Sequence, residues 1–99
     1  MKLAGRHRKY LRGLAHGLKP LVQVGRGGLT QALIDSLDEA LEHHELVKVR
    51  FLEHKEARHE LSEALAAKTD ATVAGRIGHV ATLYRPARDP ERRRIVLPA

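Results

Sequence analysis

A glycine-rich segment between an apolar run and a helical pattern constrains the fold of this chain most. Residues 20–24 are Pro-Leu-Val-Gln-Val, a nearly continuous apolar run that is typical of a buried strand. Gly25-Arg-Gly-Gly28 follows, and Thr30 is then a candidate N-cap for a helix with apolar residues at helical spacing. This order predicts a strand, a glycine loop and a helix start whose free N–H groups suit a phosphate.

Helical and strand patterns alternate along the rest of the chain. The predicted elements are a helix over 6–15, a strand over 20–24, a helix from residue 30 with Leu33, Ile34, Leu37 and Leu41 on its apolar face, a strand over 46–52, a helix over 55–68, and strands over 72–78 and 80–85. In the first helix, the predicted apolar stripe consists of Tyr10, Leu11, Leu14 and then Leu18. We therefore expect an α/β fold of the two-layer α+β kind, with three helices, a mixed four-stranded sheet and the order α-β-α-β-α-β-β.

A chain of 99 residues supports one domain. We expect that domain to cover residues 1–86 and to be followed by a basic tail, residues 87–99, that orders only in part. The chain has no Cys, which excludes a disulfide scaffold and a Cys-based zinc site. The sequence predicts no cofactor and no metal site, no membrane segment, a cytoplasmic location and a monomer.

Charge is segregated along the sequence. The first 34 residues hold seven Lys and Arg and no acid, residues 35–70 hold ten acids and five bases, and residues 71–99 hold six Arg and two acids. If the fold brings the two ends of the chain together, one face is basic and the opposite face acidic. A basic face of this kind suits a polyanion, although solvated helix faces would give the same composition.

Three kinds of phosphate-binding loop could account for the glycines. A P-loop is excluded, because no Gly-Lys-Ser/Thr follows at the required spacing. A dinucleotide fingerprint would need a third glycine where Thr30 stands, and one unit of 99 residues lacks the second half of such a fold. A Gly-x-x-Gly loop that binds a nucleic-acid backbone fits residues 25–28, although four residues alone are a weak signal.

Longer segments carry a resemblance to a known family. The run Leu11-Arg-Gly-Leu-Ala-His-Gly-Leu-Lys-Pro-Leu-Val-Gln-Val-Gly-Arg-Gly-Gly-Leu-Thr30 resembles the CRM domain (chloroplast RNA splicing and ribosome maturation) in its stand-alone bacterial YhbY-type form. Further matches lie at residues 40–49, Leu83–Pro86 and Ile95–Pro98. The resemblance implies a fold like the C-terminal domain of translation initiation factor three. It also implies RNA binding at the Gly-x-x-Gly loop and association with precursors of the large ribosomal subunit.

The candidate RNA-binding residues fall into three groups. The loop contributes backbone N–H groups that we expect to face phosphate, and the first helix and the central strand contribute cations. The loop residues are Gly25, Arg26, Gly27, Gly28 and Leu29; the cations are Arg6, Lys9, Arg12 and Lys19, with Lys48 and Arg50 on the strand. In contrast to the KH domain, where Gly-x-x-Gly joins two helices, a strand enters this loop.

Catalysis is not predicted. Ser36 and Ser62 have no paired His pattern, the acids are spread over exposed helix faces, and the seven His lack metal-ligand spacing. With only Tyr10, Phe51 and Tyr84 as aromatic residues, the surface cannot offer a platform of several stacked rings. Two alternatives to a non-enzymatic RNA-binding assembly factor stay open: a module whose acidic helices bind a basic protein such as a ribosomal protein, and a small nucleotide-binding enzyme.

Overall fold

A computed structural model describes residues 2–99 of the chain. The helices are α1 (Gly5–Ala15), α2 (Gln31–His44) and α3 (Arg58–Lys68), and the strands are β1 (Val22–Val24), β2 (Leu46–Phe51), β3 (Thr72–Ile77) and β4 (Val80–Tyr84). Their order is the predicted one. The pattern over 55–68 contains a 3-10 turn, Lys55–Ala57, before α3 begins, and a second 3-10 turn covers Pro90–Arg92.

The four strands form one mixed sheet in the order β1-β2-β4-β3. β1 and β2 are parallel, with Val22 opposite Val49, whereas β4 is antiparallel to both of its neighbours. A tight turn at Gly78, where φ is 58°, joins β3 to β4. The predicted mixed sheet with a closing hairpin is therefore confirmed, and β4 lies between β2 and β3.

The larger hydrophobic core lies between one face of the sheet and helices α2 and α3. Val47, Val49 and Phe51 alternate with the polar residues of β2, so all three side chains point to this face and are buried. Leu37 and Leu41 of α2 are buried against them, together with Leu65 and Ala66 of α3. The predicted apolar face of α2 is confirmed, because Leu33 and Ile34 also pack on this core.

A smaller core lies under α1 on the opposite face of the sheet. Helices α2 and α3 form one layer, the sheet forms the second, and α1 forms a third. The buried residues of the smaller core are Leu3, Leu11, Ala15, Leu46, Ala74 and Tyr84. The predicted apolar stripe of α1 was wrong for Tyr10, Leu14 and Leu18, which are 40, 41 and 43% exposed. α1 contacts the sheet through Leu11 and Ala15, four residues apart on one side of the helix, which leaves Tyr10 and Leu14 at its margin.

The C-terminal segment is held against the domain by Glu45, the residue directly after α2. The Glu45 side chain is buried and accepts hydrogen bonds from the backbone N–H groups of Ala87 at 2.8 Å, Arg94 at 2.7 Å and Ile95 at 3.0 Å. Ile95 and Leu97 then pack on the core under α1. The segment over 87–99 is therefore packed on the domain and is not a free tail, while the boundary at residue 86 stays a prediction.

Candidate nucleic-acid interface

The glycine loop is a tight turn between β1 and α2. The N–H of Gly28 donates to the carbonyl of Gly25 at 3.1 Å, and the N–H of Thr30 donates to the carbonyl of Gly28 at 3.1 Å. Gly28 has φ of 68°, a conformation that glycine adopts without strain. The glycine at this position is therefore required by the turn itself.

The start of α2 is capped as predicted. The hydroxyl oxygen of Thr30 accepts a hydrogen bond from the N–H of Leu33 at 3.1 Å. Within the described residues, the backbone N–H groups of Gly27 and Leu29 have no hydrogen-bond partner. The N–H of Gly28, which the sequence also predicts to face phosphate, donates within the turn.

The imidazole of His54 holds the loop from the β2–α3 connection. Its Nε2 lies 2.9 Å from the carbonyl oxygen of Arg26 and donates to it. In a trans peptide the N–H points opposite to the C=O, so this hydrogen bond directs the N–H of Gly27 away from His54. The sequence shows no metal-ligand spacing among its His residues and does not predict this contact, which joins positions 28 residues apart.

Three of the predicted cations share one groove on the sheet. Lys19, Lys48 and Arg50 line it together with Leu18, Ile77 and Val80. Lys48 already donates from Nζ to the carbonyl of Leu18 at 3.0 Å, so its ammonium holds the segment between α1 and β1 in place. The exposed cations of the groove are therefore Lys19 and Arg50.

Arg12 adjoins this groove, whereas Arg6 and Lys9 do not line it. The aliphatic part of Arg12 lies over Gly75, where an added Cβ would come within 2.7 Å of Cδ, so a side chain at position 75 would displace Arg12. Arg6 and Lys9 line a different groove with Tyr10, Leu14 and Pro98, and Arg6 Nε donates to the carbonyl of Ala99 at 2.9 Å. The structure thus places the predicted cations on two surfaces.

Two of the four acidic residues of α2, Asp38 and Glu42, are paired within the chain. The buried guanidinium of Arg85 donates to Asp38 Oδ1 at 2.6 Å and to Glu42 Oε1 at 3.2 Å, and Arg88 donates to Asp38 at 3.0 Å. Burial raises the pKa of Asp38, but the hydrogen bonds and charges of the two arginines outweigh it and lower the pKa. Hydrogen bonds from the backbone N–H groups of Arg88 and Asp89 lower the pKa of Glu42.

The described residues contain neither a metal site nor a membrane-spanning helix. Among residues 2–99, no group of three or more His, Asp or Glu could hold a metal ion. No helix in the same range is long and apolar enough to cross a membrane.

The fold and the loop define a small α/β domain in which a strand enters a Gly-x-x-Gly loop beside a basic sheet face. The sequence pattern of the CRS1 / YhbY (CRM) domain matches residues 3–85, and the chain belongs to this family. The resemblance found in the sequence is thereby confirmed.

Relatives and a solved structure agree with this assignment. The chain is 37% identical over 88 residues to a Haemophilus influenzae protein named "RNA-binding protein", covering 88% of this chain and 89% of that one. It is 36% identical over 97 residues to the Bacillus subtilis "Probable RNA-binding protein YqeI", covering 97% and 99% of the two chains. The solution structure of SAV1595 from Staphylococcus aureus matches with a TM-score of 0.81 and 34% identity, covering 98% of this chain and 100% of that one. The names of both relatives describe RNA binding.

Proposed function

We propose that this protein binds RNA through its Gly-x-x-Gly loop, residues 25–28, and the cations beside it. More specifically, the RNA is ribosomal RNA in precursors of the large ribosomal subunit, and the protein assists assembly of that subunit. The names of the relatives and the family membership support RNA binding. The ribosomal target follows from the resemblance to the YhbY-type proteins. A ribosomal target implies a cytoplasmic location and permits ribosomal proteins as further partners.

The orientation of the loop is the observation that carries this proposal. The N–H groups of Gly27 and Leu29 have no partner within the described residues, and the turn that fixes them uses the N–H of Gly28. Both groups lie in the loop directly before α2, and the dipole at the N-terminus of that helix favours an anion nearby. Arg26 is exposed in the same turn and can add a guanidinium to the phosphate.

Binding to this surface holds RNA without changing it chemically. Backbone N–H groups and the side chains of Arg26, Lys19 and Arg50 contact phosphates, which gives affinity but no direct reading of base sequence. Of the aromatic side chains, Phe51 and Tyr84 are buried and Tyr10 lies at the margin of α1. We therefore expect recognition of RNA by backbone and shape, with modest sequence selectivity.

Internal pairing of the acidic helix weakens the main alternative, a module that binds a basic protein. Asp38 and Glu42 are the acids of α2 that Arg85 and Arg88 neutralise. A basic partner would have to displace these intramolecular contacts before it could bind there. The RNA-facing cations Lys19 and Arg50 have no ion pair with a carboxylate among the described residues.

Crosslinking in cells tests the target. The tagged protein is crosslinked, purified under denaturing conditions and its attached RNA sequenced, while lysate from the same cells is separated on a sucrose gradient. We expect enrichment of large-subunit ribosomal RNA and sedimentation with large-subunit precursors. The ribosomal role would be contradicted if each RNA were recovered in proportion to its abundance in the cell and the protein stayed at the top of the gradient. No crosslinked RNA at all would contradict RNA binding itself.

A further inference from the structure

The sheet has one uncovered row of side chains on the face that carries α1. Arg50 lies opposite Gln23 on one side and Val80 on the other, and Val80 lies opposite Ile77. Side chains of directly opposed residues point to the same face of a sheet. Gln23, Arg50, Val80 and Ile77 therefore form a row across all four strands, which we call the open row.

Helix α1 leaves this row free because it covers only the other end of the face. Its buried residues Leu11 and Ala15 pack on Leu46, Ala74 and Tyr84, two residues or more along the strands from the open row. Ile77 is consequently 80% exposed, the highest value among the large apolar residues of the described chain. An exposed apolar side chain on a sheet face, beside cations, is a feature that folding alone does not require.

Three residues of the open row, Arg50, Val80 and Ile77, line the groove together with Lys19 and Lys48. The groove has a volume of about 380 Å³, within the range of ligand pockets, ~300–1,000 Å³. Leu18, Pro20, Ile77 and Val80 supply apolar surface, and Lys19 and Arg50 supply charges that no carboxylate of the described residues neutralises. A ligand with a flat apolar part and an attached anion would therefore complement this groove.

The open row leads toward the glycine loop through β1. Gln23 of the open row is two residues before Gly25. Its partner Arg50 is next to Phe51, and Phe51 lies opposite Val24, the residue that leads into the loop. A polymer with a phosphate at the loop could therefore extend its chain directly over the open row. A nucleotide fits this position, because it combines a base that packs on aliphatic surface with a phosphate that pairs with Lys19 or Arg50.

We propose that the groove over Ile77 and Val80 binds one unpaired nucleotide of the RNA whose backbone is held at the loop. This inference rests on the proposed RNA binding and extends it from phosphate contacts to a contact with a base. It predicts that the protein prefers RNA with an unpaired segment to a fully paired duplex. The groove is apolar enough to accept a base and has no large aromatic ring, so the preference among bases is small.

Two matched substitutions test the groove. Ile77→Thr keeps a β-branched side chain in the strand and removes apolar surface, while Val96→Thr makes the same kind of change at a residue that is 79% exposed in the C-terminal segment. Affinity for a short single-stranded RNA is measured beside affinity for inorganic polyphosphate, which has the charge without bases. We expect Ile77→Thr to weaken RNA binding by about fivefold, with polyphosphate binding and the unfolding temperature unchanged. Val96→Thr should change neither affinity.

A gain of affinity gives a second readout that a damaged fold cannot produce. Ile77→Tyr places a ring over the groove and should tighten binding of single-stranded RNA by about threefold or more, with little effect on an RNA duplex. Equal RNA affinity of wild type and both Ile77 variants would overturn the groove and leave loop binding intact. If wild type binds no RNA, the proposed function falls as well. If an acidic peptide or anionic vesicles respond to Ile77→Thr while RNA does not, the groove belongs to a different partner and the inference is wrong.

Discussion

The imidazole Nε2 of His54 lies 2.9 Å from the carbonyl oxygen of Arg26 and so connects the β2–α3 turn to the glycine loop. His54 itself has φ of 58°, in the left-handed region that residues other than glycine seldom adopt. The same ring also lies near Gly28, where an added Cβ would be 3.6 Å from Nε2. His54 therefore fixes both the orientation of the Arg26–Gly27 peptide and the space around Gly28.

Removal of this hydrogen bond should weaken RNA binding. In His54→Ala the Arg26–Gly27 peptide is free to rotate, and we expect RNA affinity to fall by about three- to tenfold, the effect of a typical hydrogen bond. His54→Gln retains an N–H donor and should restore part of the loss. His59→Ala, at an exposed histidine of α3, serves as the control, and affinity is measured by fluorescence anisotropy. Equal affinity of His54→Ala and His59→Ala would show that the hydrogen bond does not matter for binding.

A negative charge in the loop should abolish binding. Nothing lies within 4 Å of a Cβ added at Gly25, so Gly25→Asp introduces charge without a steric conflict. At Gly27 an added Cβ would be 3.1 Å from the Thr30 methyl, which must move slightly, so Gly27→Ala separates that steric effect from the charge of Gly27→Asp. We expect both Asp variants to lose RNA binding and Gly27→Ala to retain most of it, with similar thermal unfolding for all three. RNA binding by the Asp variants would place the site elsewhere.

Glu45 should stabilise the packing of the C-terminal segment. Its carboxylate accepts three backbone N–H groups, and Glu45→Gln leaves only one acceptor oxygen for them. We expect a loss of about 1–3 kcal/mol in the free energy of unfolding at neutral pH, measured by urea denaturation. Glu39→Gln, on the exposed side of α2, is the matched control and should change the free energy little. A stability equal to wild type in Glu45→Gln would contradict the anchoring role.

The same carboxylate makes stability depend on pH in the acid range. Burial raises the pKa of Glu45, but hydrogen bonds from Arg94, Ile95 and Ala87 and the charge of Arg93 outweigh it and hold the pKa below the ordinary 4.5. A pKa that is lower in the folded state gives stability that is complete above the ordinary value and is lost as the pH falls through the folded value. We therefore expect the difference in stability between wild type and Glu45→Gln to shrink below about pH 4.5 in acid titrations of unfolding. A difference that stays constant down to pH 2 would show that protonation of Glu45 is not involved.

Arg50 and Lys48 should differ in their contribution to RNA binding, although both are cations of β2. Arg50 is exposed, so Arg50→Gln should reduce the slope of log K against log salt by about 0.7–0.9, the value for one phosphate contact. The ammonium of Lys48 already donates to the Leu18 carbonyl, and Lys48→Gln should change the slope less. Equal changes in slope would mean that RNA displaces the bond between Lys48 and Leu18.

Periodicity and capping made most of the fold predictable. Alternation of Val47, Val49 and Phe51 with Lys48 and Arg50 defined the central strand and its buried face, and Thr30 defined the start of α2. The apolar stripe of α1 could not be predicted correctly. Its helical spacing fits several faces, and the position of α1 over Gly75 selected the one with Leu11 and Ala15.

Contacts between distant parts of the chain were beyond sequence reasoning. The hydrogen bond between His54 and Arg26 and the three N–H groups bound by Glu45 join residues that are between 28 and 50 positions apart, without a local pattern. For the same reason the sequence predicts a basic tail over 87–99 that orders only in part, since its composition does not reveal the buried carboxylate of Glu45 that binds it. The sequence did predict the glycine loop between β1 and α2 and the common face of Lys48 and Arg50, because those residues are consecutive or belong to one strand.

Titration of the ¹⁵N-labelled protein with RNA locates the binding site, because it reports on each backbone N–H group separately. We expect the amide signals of Gly27 and Leu29 to shift most and those of Arg26 and Arg50 to shift with them. Signals on the exposed side of α3, such as Ala67, should stay unchanged. Large shifts along the acidic faces of α2 and α3, with the signals of Gly27 and Leu29 unmoved, would contradict binding at the loop.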